Sequence, residues 1–253
     1  MPAPRLLALL LLTTGYALAL CFGALGLEAV PVFALLTVLA FAAHKRLKPL
    51  AHTLFTLLAL ALAAHLLPGF NNALVIDRQV MSPDAPPFSM ALNLDKPLIG
   101  FWLLLACPWA VPNVPWRQAT QATLITLAAT SAVVFGLAFA VGAVAWQPKW
   151  PANGGLWLLN NLLLVCIVEE LLFRGYLQQA LQRCLPGAMG LMVTAALFGA
   201  THLAGGWQWA VLATLAGIGY GMAFKRGGLW AAIACHLGVN LLHFSLFSYP
   251  LAI

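Results

Sequence analysis

The sequence predicts an all-α fold, a polytopic transmembrane helix bundle of eight or nine spans. Three observations point to it. Of the 253 residues, 63% are hydrophobic. Only 7% are charged, against about 25% in water-soluble domains. The apolar residues also fall in continuous runs, not in the short alternating segments of a β-barrel. So few charges could not cover a soluble fold of this length, so lipid is the solvent for most of the chain. In lipid every backbone N–H and C=O must be bonded within its own segment, and that selects helices.

Crossing a bilayer takes about 20 apolar residues at a rise of about 1.5 Å each. The runs that qualify are 6–26, 29–43, 50–67, 97–111, 119–145, 155–182, 187–204, 207–224 and 229–249. The second and fourth are short, so the count is eight or nine. The first run extends from Leu6 to about Leu27, long enough to span, and Leu20 rather than a small residue precedes Cys21. These features predict a retained helix and not a cleaved leader. Polar and proline-rich connections separate the later runs: His44 to Pro49, Pro112 to Arg117, Gln147 to Gly155 and Lys225 to Gly228.

The net charge of +6 does not point to nucleic acid. The basic residues are sparse and lie between apolar runs, the pattern of a membrane protein with positive loops inside. With a cytoplasmic N-terminus and nine spans, Arg5, Lys45, Arg46, Lys48, Arg117, Arg183, Lys225 and Arg226 fall inside. Arg78, Lys96 and Lys149 fall outside, and Arg174 lies within a span. This bias, with no targeting tail, predicts an integral protein of a bacterial plasma membrane. Cys21, Cys107, Cys166, Cys184 and Cys235 show no metal-like spacing and read as small buried hydrophobes. The longest connection, Pro68 to Lys96, carries Asp77, Asp84 and Asp95 and reads as a solvated extracytoplasmic loop.

The chemistry lies in the acids and histidines. Only six acidic residues occur, and two of them, Glu169 and Glu170, are adjacent inside an apolar run. Each charge at the centre of a membrane helix costs about 2.5–3.5 kcal/mol on insertion scales. Glu170 and Arg174 are four residues apart and so share a helix face, with the acid on the favourable N-terminal side. Glu169 is rotated by about 100° and is left without a partner in its own helix, the situation that suits a general base. Two later runs supply His202, after Phe198, and His236 with Asn240 one turn on. Polar residues inside spans face the bundle interior, so Glu169, His202, His236 and Asn240 are candidates to converge.

Glu169-Glu170-Leu171-Leu172-Phe173-Arg174-Gly175 resembles the EExxxR signature of the CPBP (CAAX protease and bacteriocin-processing, or Abi) family of intramembrane glutamic-type endopeptidases. Phe198 with His202 resembles its FxxxH motif, and His236 with Asn240 its HxxxN motif. All three occur in the family order between about residues 156 and 245. The resemblance implies that Glu169 and His202 activate water and that His236 and Asn240 stabilise the oxyanion. Glu170, Arg174 and Phe198 would support the site. It implies no cofactor, and a protein or peptide substrate, lipid-modified or not.

The division that follows is a protease core over 155–249 and N-terminal transmembrane helices of unassigned role over 1–150. Blander readings exist for each residue. Glu170–Arg174 reads equally as a structural ion pair, and Phe198 as packing. His44, His52, His65 and His243 read as loop or packing residues. Asn160 and Asn161 line a cavity or bond between helices, and Gly217, Gly219 and Gly221 with Ala213 read as a close-packing face. Zinc held by Glu169, His202 and His236 is the minority alternative, without the HExxH that would place two ligands and a base on one helix. A non-catalytic immunity or scaffold protein is the alternative from another class.

The orientation is testable by cysteine labelling of intact cells with an impermeant reagent. Asp84→Cys is expected to react and Arg226→Cys to stay protected; the reverse pattern overturns the assignment.

Overall fold

The computed structural model describes residues 2–44 and 47–251. Lys45 and Arg46, which enter the charge count above, lie outside the described residues. Eight helices occur among the described residues: α1 (Ala3–Phe22), α2 (Val30–Ala42), α3 (Lys48–Ala63), α4 (Pro97–Ala106), α5 (Trp116–Ala140), α6 (Gly154–Cys184), α7 (Met189–Ala200) and α8 (Trp207–Leu246). Proline occupies the first or second position of α1 to α4, where its fixed φ suits a helix start and its missing N–H is not needed.

By length and composition α1, α5, α6 and α8 are apolar and long enough to cross a membrane. The other four are shorter apolar helices. With 16 residues in α3, a rise of about 1.5 Å per residue gives about 24 Å, short of a hydrocarbon core of about 30 Å. Runs of apolar sequence therefore overstate the number of full-length helices. The outer surface agrees with a lipid environment. Phe41 and Leu57 are 69% and 60% exposed, and large apolar side chains stand out along the outer faces of α1, α2, α3 and α5.

The runs 207–224 and 229–249 form the two helical limbs of α8, which meet directly at Gly228 without a longer loop at Lys225–Gly228. The single interruption is Gly228, at φ 72° and ψ −167°. The chain reverses there, because both limbs of α8 run along α5. Gly219 on the first limb lies against Thr130, and Gly238 on the second against Leu127. Gly227, at the bend, lies against Ala119 and Ala122 near the start of α5. Tyr220 and His236, eight residues either side of Gly228, stack with ring centroids 4.5 Å apart. The glycines of the first limb serve two faces: Gly219 meets α5, while Gly217 and Gly221 meet α6 and α7.

The fold is not wholly helical, a correction to the all-α expectation. The segment expected as a solvated loop contains an antiparallel hairpin, β3 (Ala73–Gln79) with β4 (Phe88–Leu92). A short pairing of β1 (Ala24–Leu25) with β2 (Phe70–Asn71) precedes it. Ile76, Met81 and Met90 are buried with Trp157 of α6 and Phe244 of α8, so the hairpin packs on the bundle. Asp95 behind it is 1% exposed. Its carboxylate receives His65 Nδ1 at 2.7 Å, Asn72 Nδ2 at 3.4 Å and the Lys96 N–H at 2.8 Å. Burial alone would raise this carboxyl, but the His65 and Lys96 hydrogen bonds outweigh it and hold Asp95 below the ordinary carboxylate range. Cys107, Cys166 and Cys235 are buried, whereas Cys21 and Cys184 are exposed, so two of the five cysteines are not packing residues.

Gly228 is expected to tolerate no side chain. Its positive φ is strained for any L residue, and a Cβ would lie 2.9 Å from Val114 Cγ2. Gly228→Ala should lower stability by about 1–3 kcal/mol, read as a lower thermal midpoint of the purified protein in detergent.

Candidate active site

The two carboxylates sit on α6 at an unusual place. Wide turns with i→i+5 hydrogen bonding run over Asn161–Cys166 and Leu171–Gln178, and Ile167–Glu170 between them keeps ordinary α geometry. Such turns are uncommon and concentrate at functional sites, where an extra residue per turn redirects side chains. The helix is thus widened on both sides of the carboxylates without being broken. Close packing accompanies the second wide turn. A Cβ on Gly175 would lie 2.8 Å from the Ala110 carbonyl oxygen.

Glu170 and Arg174 are fully buried, each at 0% exposure. Arg174 Nε lies 3.3 Å from Glu170 Oε2, in ionic contact but not aligned as a hydrogen bond. Arg174 Nη2 donates to the Gly217 carbonyl at 3.0 Å. The guanidinium also lies over the rings of Phe198 at 4.5 Å and Tyr220 at 5.4 Å, a cation–π arrangement. The other oxygen of Glu170 is engaged as well: His236 Nδ1 is 2.8 Å from Oε1. The sequence assigns Glu170 to Arg174 alone; the structure shares it between Arg174 and His236.

That contact sets which nitrogen of His236 faces the site. A proton on Nδ1 faces the carboxylate, so Nε2 is the nitrogen left for the site. His202 is arranged the same way, with Nδ1 2.9 Å from the Phe198 carbonyl oxygen. An oxygen there accepts, so Nδ1 carries the proton and Nε2 is free to accept one. Asn240 Nδ2 donates to Asn161 Oδ1 at 3.0 Å, and Asn161 in turn donates to the Trp157 carbonyl at 3.3 Å. Asn161, read from the sequence as cavity lining or helix bonding, orients the Asn240 amide.

Phe198, His202, His236 and Asn240 line one cavity of about 70 Å³, together with Trp209, Tyr220 and His243. That volume holds a few waters. Phe198 is more than packing: it carries the guanidinium, meets His236 edge-on at 5.7 Å and accepts from His202 through its backbone.

Glu169 is not among the residues lining that cavity. It is not unpartnered either, as its helix alone suggested. Lys96 Nζ donates to Glu169 Oε1 at 2.6 Å, with the side chains 20% and 12% exposed. The residues that sequence reasoning missed are therefore Lys96, Tyr220 and Trp209. For Lys96 a signal existed, because an unpaired acid in a span calls for a cation, and few cations were assigned outside.

This geometry joins the three motifs in space as well as in order. Residues 150–242 match the family model described as type II CAAX prenyl endopeptidase Rce1-like. All seven motif residues lie within that segment, which is similar to a CAAX-type endopeptidase. The four long apolar helices make the chain an integral membrane protein. No curated protein and no solved structure matches the chain. Lys96 lies outside the matched segment, as do α1 and α4, which both pack on α6.

Glu170→Gln tests the shared carboxylate. It keeps an acceptor for His236 but leaves the Arg174 guanidinium buried without its counter-charge. A loss of about 3–5 kcal/mol is expected, as for other broken buried pairs. The measure is detergent thermal unfolding, with Glu169→Gln, a partly exposed site, expected to lose less.

Proposed function

We propose that the chain is an intramembrane endopeptidase that hydrolyses a peptide bond in a membrane-associated protein or peptide precursor. The observation that carries this reading is the meeting of His202, His236 and Asn240 around one cavity, with Glu170 bonded to His236. Residues 155–249 act as the protease core, and 1–150 frame it.

In the reaction, Glu169 and His202 take a proton from water as its oxygen attacks the peptide carbonyl carbon. The free Nε2 of His202 suits that task. Negative charge develops on the carbonyl oxygen, and Asn240 Nδ2 and His236 Nε2 donate to it. To donate from Nε2 while Nδ1 faces Glu170, His236 must carry both protons. The buried Glu170 carboxylate is the counter-charge for that imidazolium. The proton taken from water passes to the departing nitrogen, the C–N bond breaks, and an acid and an amine leave.

No cofactor enters this scheme. The minority zinc reading needs Glu169 as a ligand, and an ammonium already sits on that carboxylate. A divalent ion beside it would meet like charge. Among the described residues, no three His, Cys, Asp or Glu side chains are grouped to hold a metal ion. Glu170 on His236 does resemble the carboxylate that orients a metal-bound histidine, so it is the Lys96 ammonium, and not a missing orienting carboxylate, that disfavours zinc.

The test is a peptide-library digestion by the purified protein in detergent or liposomes. Wild type is expected to cleave with or without a strong chelator, and Glu169→Gln to fold normally and lose at least about a hundredfold in kcat, within the usual range for a general base. Loss of activity on chelation with recovery on added zinc would make the metal reading right. Wild-type turnover by Glu169→Gln would remove that residue from the chemistry.

A further inference from the structure

The N-terminal region delivers one charged side chain to the site. Lys96 caps the start of α4 and follows Asp95, whose carboxylate is tied to His65, to Asn72 and to the Lys96 N–H itself. Asn72 Oδ1 also accepts the Leu94 N–H at 2.8 Å. The backbone that carries Lys96 is therefore clasped on both sides, while its four-carbon stem reaches α6. The ammonium meets Glu169 Oε1 at 2.6 Å. Among the described residues Glu169 Oε2 makes no hydrogen bond and is not a sealed orphan.

Two ion pairs can thus be compared within about one turn of helix. Glu170–Arg174 is sealed at 0% exposure for both side chains, while Lys96–Glu169 stands 20% and 12% exposed. Sealing an ion pair costs desolvation, and the Lys96–Glu169 pair avoids most of it. This one is left open, with one carboxylate oxygen held and the other free.

We propose that Lys96 is a positioning residue of the hydrolytic centre, pinning Glu169 Oε1 so that Oε2 faces the attacking water. The proposal rests on Glu169 being the base. It gives the N-terminal region a role in the reaction: the hairpin and the Asp95 clasp hold the lysine that aims the carboxylate. Pre-set orientation of a reacting group acts on the transition state more than on substrate binding.

The test uses the full-length protein and a peptide that wild type cleaves, with kcat, KM and thermal midpoint measured for each variant. Lys96→Met is expected to lower kcat by about tenfold or more with KM changed by less than about twofold, the signature of a lost transition-state interaction. Lys96→Arg, which returns a cation, is expected to recover part of that loss. Should Lys96→Met fail to fold, Lys96→Leu, which also lacks a donor to Glu169, is judged by the same kcat threshold. A smaller fall in kcat, or a loss carried by KM, overturns the proposal. Glu169→Gln runs alongside. If it is inert while Lys96→Met keeps its kcat, only the role of Lys96 fails; if Glu169→Gln retains turnover, the reading of Glu169 fails and takes the proposal with it.

Discussion

The Glu170 carboxylate is shut off from solvent and shared between a guanidinium on its own helix and an imidazole on α8. Removing an ion from water costs several kcal/mol even after relaxation, so everything around this group has to offset that cost. Arg174 supplies the opposite charge, and the Gly217 carbonyl accepts a hydrogen bond from its Nη2. Phe198 and Tyr220 present ring faces to the guanidinium. These partners come from α6, α7 and both limbs of α8, so satisfying one carboxylate draws three helices together.

The sequence around them follows from that demand. A side chain at position 217 would press on Arg174, with a Cβ only 3.2 Å from Nη2, so the first limb of α8 needs glycine there to approach. The reversal at Gly228 then returns the second limb past the first. It sets His236 against Tyr220 on one side and Glu170 on the other. Asn240 follows one turn later on the same face and reaches Asn161, on the first wide turn of α6. The site is thus assembled by backbone devices, a glycine contact, a glycine bend and two widened turns, that place a few polar side chains in an apolar setting.

What the sequence made legible is what lies within one helix. Glu170 with Arg174, Phe198 with His202 and His236 with Asn240 are each four residues apart, and helical periodicity puts each pair on one face. Nothing in that periodicity says which oxygen of which glutamate a histidine 66 residues away will take, or that a lysine 73 residues upstream will end on Glu169. The hairpin was hidden for a related reason. Its strands are short and irregularly registered, and its prolines and aspartates read as loop. The number of spans stayed open for another reason: hydropathy measures how apolar a run is and not how much of it becomes helix.

Adjacent carboxylates on one helix look interchangeable in the sequence, and their surroundings make them different. About 100° of rotation turns Glu170 into the sealed contact with α8 and Glu169 toward the clasped end of the hairpin. Glu170 has one oxygen on His236 and the other in ionic contact with Arg174, and both are sealed from solvent, so taking a proton from water would cost it a buried charge contact. Glu169 has one oxygen held and one unbonded, and it keeps some exposure. The proposed role of Glu169 as base draws on this difference, since a base needs an oxygen within reach of water. That asymmetry is built by the N-terminal region as well as by the matched segment. Residues 150–242 contain both glutamates, but the lysine that distinguishes them comes from outside that segment.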